Sequence, residues 1–193
     1  MASDPLILGF DTSAAHCAAA LLRGEEVLAS RVLEMTRGQA EELMPLLEAL
    51  LAGQNLNWSD LSAIGVGTGP GNFTGIRISV SAARGLALAL EVPCIGVSTF
   101  DATLHGTTTP AAAAVPAPRD QQYVQEPGEA AKLVSLPYDT DLPIVYPPGG
   151  AILAENIAHQ ARLRMDDTAQ RPAPLYIRQA DAAPSRDLPP KIL

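Results

Sequence analysis

Four glycines fall within nine residues of the stretch GTGPGNFTGIR, positions 67–77. The apolar run AIGVG at 63–67 leads into it, and a helical pattern from about Thr74 to Leu90 follows. A chain that gives up side chains at this density needs its backbone to turn sharply or to be approached closely. Three things could make that approach: a phosphate, a partner protein, or a neighbouring segment in a tight turn. The helix would aim its free N–H groups and its dipole back at the loop, which makes an anion site. Gly69, Gly71 and Asn72 are candidate phosphate contacts on that reading. The loop is not a Walker A loop, because no Gly-Lys-Ser/Thr follows, and Lys132 and Lys191 are the only lysines. It does not fit the dinucleotide fingerprint either. A turn that lets strand and helix pack closely remains an equal alternative.

The run LILGF at 6–10 reads as a buried strand ending at Asp11-Thr12-Ser13. An acid and two hydroxyls at such a strand end can hold a hydrated metal ion and nucleotide phosphates. The same three residue types are also ordinary turn formers, and both readings stand. Residues 15–22 and 27–33 fit two further strands joined by hairpins. Residues 38–52 place Leu43, Leu46, Leu47, Leu50 and Leu51 at helical spacing, with a kink or restart expected at Pro45. Residues 94–97 give another short strand, and Ser98 can cap a helix that follows. The second helical stretch presents Gly75, Ser79, Ala82 or Ala83, and Ala87 along its length. Small residues at this spacing let another helix come very close, in this chain or in a partner.

Composition changes near residue 105. Thirteen prolines fall in residues 105–193 against four before. The run TTTPAAAAVPAP at 107–118 reads as a linker with little power to form a central strand. Short strands are expected at 123–125 and 143–146, and a helix over 151–164. The predicted organisation is a first lobe at 1–104 and a smaller, proline-rich second lobe at 105–193. The net charge of −8 and the scarcity of lysine argue against nucleic-acid binding by this chain alone. Cys17 and Cys94 are expected as two buried thiols rather than one disulfide. The N-terminus has no basic leader, and charges interrupt the apolar runs, so a cytoplasmic protein away from membranes is expected. His16, His105 and His159 are not spaced as metal ligands, and no GxSxG is present.

The segments ILGFDTS (7–13), RGQAEELMPLL (37–47), GTGPGNFTGIRIS (67–79), GVSTFDA (96–102) and PLYIRQADA (174–182) occur in the order found in one family. By these residues the chain resembles the TsaB (YeaZ) family of tRNA threonylcarbamoyladenosine biosynthesis subunits, within the M22 glycoprotease-like superfamily. The resemblance implies an α/β fold of the actin-like ATPase type (sugar kinase, Hsp70, actin), with two lobes of similar topology and the second one shortened. It implies a non-catalytic scaffold that acts with TsaD and the ATPase TsaE in N6-threonylcarbamoylation of the adenosine beside the anticodon, in tRNAs reading codons that begin with A. It implies a homodimer when alone, tRNA contact only through the complex, and no required cofactor, with ATP or ADP and Mg at a weak or interface site. The implied partner face lies on the two helices, at Leu43, Leu47 and Leu50 and at Gly75, Arg77, Ser79, Ala82, Ala83 and Leu86. The alternative function is an actin-like ATPase or small-molecule kinase using Asp11 and the glycine loop. The peptidase label of the superfamily has no support in the residues.

Overall fold

The computed structural model describes residues 4–166 and 171–177. The last five residues of the C-terminal family segment, 178–182, lie outside them. Strands β1 (Leu6–Asp11), β2 (His16–Arg23), β3 (Glu26–Glu34), β4 (Ala63–Gly67) and β5 (Cys94–Val97) form one sheet in the order β3-β2-β1-β4-β5. The hairpin strands β1, β2 and β3 are antiparallel; β4 and β5 run parallel to β1. Alternation along β1 divides the core. Leu6, Leu8 and Phe10 face helices α1 (Gln39–Ala52) and α2 (Phe73–Leu90), where they meet Leu43, Leu47, Ile76 and Val80. Ile7 faces the other side, where helix α4 (Gly150–Leu163) supplies Leu153, Ile157 and Ala161. This helix comes very close: a Cβ at Gly9 would lie 2.7 Å from the backbone of Ala154 and Ala158.

A short helix α3 (Thr99–Thr103) is capped by Ser98, whose Oγ accepts the Asp101 N–H at 3.0 Å. The chain then enters a second sheet of β6 (Ala112–Ala117), β7 (Gln121–Gln125), β8 (Lys132–Ser135) and β9 (Ile144–Val145), in the order β8-β7-β6-β9. Three antiparallel strands and a fourth parallel to the first repeat the arrangement of β1 to β4. The repeat is abbreviated among the described residues: no helix separates β8 from β9, and no fifth strand follows. This is the two-lobed, actin-like α/β architecture that the resemblance implies, with the second lobe shortened.

Of the kink or restart expected at Pro45, the restart does not occur: helix α1 runs through Pro45 as one element of 14 residues. Pro45 lies on the exposed side, where water can serve the carbonyl that loses its partner. The run 107–118 is not merely a linker, because β6 is an interior strand of the second sheet. Alanines 111–114 are fully or nearly fully buried there. Pro116 is tolerated for a geometric reason. The Ala112 N–H points to the β9 side, donating to the Pro143 carbonyl at 2.9 Å. Pro116 has the same orientation, but β9 pairs only with Ala112 and Ala113, so its missing N–H breaks no ladder bond. Strand β8 was not anticipated; its four residues are too few and too exposed to show a period.

Substitution of two glycines by alanine should act in opposite directions. Gly9→Ala places a methyl against α4 backbone and should lower stability by about 1–3 kcal/mol. A Cβ at Gly85, inside α2, meets nothing within 4 Å, so Gly85→Ala should raise stability by about 1 kcal/mol. Urea unfolding of both variants checks this.

Candidate functional site

The ends of β1 and β4 are neighbours in the sheet, so the turn after each meets the other. Asp11, the last residue of β1, is fully buried. Its Oδ2 accepts from the Ser13 N–H at 2.8 Å, from Ser13 Oγ at 2.9 Å and from His16 Nε2 at 2.9 Å. Its Oδ1 has no hydrogen-bond partner and rests against Gly67, where any Cβ would collide with it. The next residue, Thr12, donates through Oγ1 to the Gly75 carbonyl at 2.7 Å. The Asn72 N–H donates to the Ser13 carbonyl at 2.6 Å. Asn72 then caps α2: its Oδ1 accepts the Gly75 N–H at 2.9 Å. Ser79 Oγ donates back to the Gly67 carbonyl at 3.3 Å. Gly71 and Gly75 abut the Ser13 and Thr12 carbonyls so closely that neither tolerates a Cβ.

Sequence reading places Asp11, Thr12, Ser13, Gly69, Gly71 and Asn72 in one site, and the structure does bring them together. It engages their polar groups inward, however. Both hydroxyls and the Asn72 amide oxygen already have partners in the chain, and the space left by Gly71 and Gly75 is filled by its own backbone, that at Gly67 and Gly69 by the Asp11 and Ile76 side chains. Ser13 and His16 both point at one carboxylate oxygen and make no hydrogen bond to each other, so no serine nucleophile with its base is assembled.

A cleft of about 1000 Å³ opens beside this knot, between the two lobes. Phe73, Tyr123, Tyr146 and five prolines contribute to its wall. Among the described residues, His16 and Glu34 are its only charged or titratable side chains apart from the tyrosines, and neither lysine nor arginine lines it. His16 and Glu34 escaped the sequence reading as site residues. Their signal is the hairpin register: His16 stands opposite Glu34 across β2 and β3, and it flanks the same turn as Asp11.

The candidate partner residues divide. Leu43, Leu47, Leu50, Gly75, Ser79 and Ala83 are turned into the core of the first lobe. Their assignment to a partner face is corrected, because a helix with small residues on several sides can bury the stripe against its own sheet. Ala82 and Leu86 are half-buried at the edge of that core. Arg77 is exposed, with its guanidinium 3.8 Å above the Phe73 ring and its Nε donating to Tyr176 Oη at 2.8 Å. The outward side of α2 instead shows Ser81, Arg84, Gly85, Ala89 and Leu88, the last 80% exposed.

The profile of a family described as TsaD, tRNA N6-adenosine threonylcarbamoyltransferase, matches residues 26–135. The TsaB protein of Escherichia coli K12 is 37% identical over 100 residues, covering 52% of this chain. The solved structure of an uncharacterized Pseudomonas aeruginosa protein, described as similar to the peptidase YeaZ, superposes with a TM-score of 0.69 at 25% identity. It covers 90% of this chain and all of that one. The chain belongs to the TsaB (YeaZ) family. An uncharacterized Mycobacterium tuberculosis protein is 31% identical over 206 residues, covering 92% of this chain and 94% of its own length. The match spans less than half, 43%, of the E. coli TsaB. A second solved structure, YeaZ from P. aeruginosa, has the same fold at a TM-score of 0.69 and 24% identity, covering 89% of this chain and 99% of that one.

Burial opposes the charged form of His16, but its hydrogen bond to Asp11, and the charges of Asp11 and Glu34, raise its pKa above 6.5. A raised folded value means that the protonated ring supports the fold. That contribution is complete below the unfolded value of about 6.5 and is lost as pH rises through the folded value. His105 and His159, stacked 5.0 Å apart, act in the opposite sense, because burial lowers both. Comparison with His16→Gln removes their effect. The stability gap between wild type and variant should be largest below pH 6.5 and should narrow toward pH 8; thermal melts across this range check it, and a constant gap contradicts it.

Proposed function

We propose that this chain is an accessory, non-catalytic subunit in the synthesis of N6-threonylcarbamoyladenosine in tRNA. On this reading it works with a TsaD-type threonylcarbamoyltransferase and a TsaE-type ATPase in the cytoplasm, touches tRNA only within the complex, and forms a homodimer when alone. The observation that carries the proposal is the family match over residues 26–135, joined to a phosphate-type loop whose Asn72 and Gly75 N–H groups and neighbouring hydroxyls are engaged within the chain. A fold that keeps this loop but uses it to fasten a helix is suited to presenting that helix rather than to turning over a nucleotide. Nucleotide with Mg, if the complex uses it, would then be held with groups from a partner.

The outward side of α2 is the proposed partner face. Leu88 stands free beside Gly85 and Ala89, Ala82 and Leu86 border them, and Arg77 lies on the same helix nearer its N-terminus. An exposed leucine flanked by small residues can insert into a partner's pocket while the backbones approach.

Two measurements test this. Deleting the gene in its own organism should deplete the threonylcarbamoyl nucleoside in digested bulk tRNA, read by mass spectrometry; an unchanged level overturns the function. Leu88→Arg should weaken binding to the TsaD homologue of the same source at least about tenfold, the scale of a single hot-spot residue, with the thermal melt of the monomer unchanged. Equal affinity of variant and wild type overturns the placement of the face.

A further inference from the structure

We propose that a groove at the C-terminal end of α2 binds an organic anion: a carboxylic acid or phosphate ester with an apolar body. The groove has a volume of about 650 Å³, inside the range of about 300–1000 Å³ typical of small-molecule sites. The end of α2, the turn into β5 with its first residues, and residues 171–172 line it. The last of these is held in place. Pro172 lies beside Gly96, where an added Cβ would come within 3.3 Å of it, and the Leu175 N–H donates to the Thr68 carbonyl at 2.8 Å.

The lining has the two parts that such a ligand needs. Ala87, Leu88, Val92, Pro93, Ile95 and Pro172 supply apolar surface, and Leu88 is 80% exposed, so an apolar body would cover it. Arg84 and Arg171 supply charge from two different elements. Among the described residues neither forms a salt bridge. Glu91 is the only carboxylate of the lining, so the guanidiniums outnumber it two to one. The charge of Arg84 reaches into the groove: burial holds the Cys94 thiol up at about 11, and Arg84 acts against that rise.

A guanidinium meets a carboxylate or a phosphate through two parallel N–H donors. A ligand body lying on the apolar lining would shield that contact from water and strengthen it. Head and body therefore support each other, and neither alone should bind well. The proposal does not depend on the tRNA reading, although Leu88 belongs to both surfaces.

Titration of the 15N-labelled full chain with octanoate, octyl phosphate and octanol tests it. The amides of Gly85, Leu88, Cys94 and Ile95 should shift saturably with at least one of the two acids, and the tighter acid identifies the head group. Octanol should bind at least about tenfold more weakly, the scale of one charge-assisted hydrogen bond. Arg84→Gln combined with Arg171→Gln should bring the acids down to the affinity of the alcohol. Both side chains are exposed, so the thermal melt of the variant should match that of wild type. The absence of saturable shifts with either acid overturns the proposal. Equal affinity for acid and alcohol, or undiminished binding of the acids by the double variant, overturns it as well.

Discussion

Two turns at the same end of the first sheet are fastened to one another, and the remaining structure is arranged around that fastening. The turn after β1 offers carbonyls and a threonine hydroxyl. The turn after β4 offers the Asn72 N–H and the Gly75 carbonyl. Neither set could meet if Gly71 and Gly75 carried side chains. Asp11 stiffens the first turn from within, gathering the Ser13 backbone, the Ser13 hydroxyl and the His16 ring onto one oxygen. Removing such a carboxylate would strand three buried donors, each at a cost of about 1–3 kcal/mol. The start of α2 is thus held at a fixed height over the sheet, and its outward side is fixed with it.

The same fastening explains how one ancestral-looking loop can serve two ends. A glycine-rich turn before a helix can cradle an anion when its N–H groups and neighbouring hydroxyls are free. Here the Asn72 N–H turns to the Ser13 carbonyl of the hairpin, the Gly75 N–H is taken by Asn72 Oδ1, and the Thr12 hydroxyl donates to the Gly75 carbonyl. Among the described residues, the second lobe repeats the strand order of the first without the intervening helix or a fifth strand, and it lines the cleft with no lysine or arginine.

Much of the first lobe was legible in the sequence because its signals are local. The leucines of α1 repeat at helical spacing and Gly53 ends that helix, the first strands are bounded by Asp11 and Gly24, and Ser98 caps as its position suggests. The density of glycine also announced a close approach. What approaches was not legible, because it depends on β1 and β4 lying side by side, 63 residues apart at Thr12 and Gly75. The direction of the small-residue stripe was hidden for a related reason. Helix α2 carries Gly75, Ser79 and Ala83 on one side and Ser81, Gly85 and Ala89 on another, and only the sheet decides which is buried. In the second lobe, proline count misled: Pro116 sits in an interior strand at the one register where its missing N–H faces no partner.

Native-state hydrogen exchange at the Asn72 and Gly75 amides, with and without Mg–ATP, tests the fastening most directly. If the loop is a structural clasp, both amides exchange slowly, near the rate set by global unfolding, and nucleotide leaves them unchanged. Fast exchange in the free protein that slows when Mg–ATP is added would contradict the account, because the loop would then be an open phosphate site closed by its ligand.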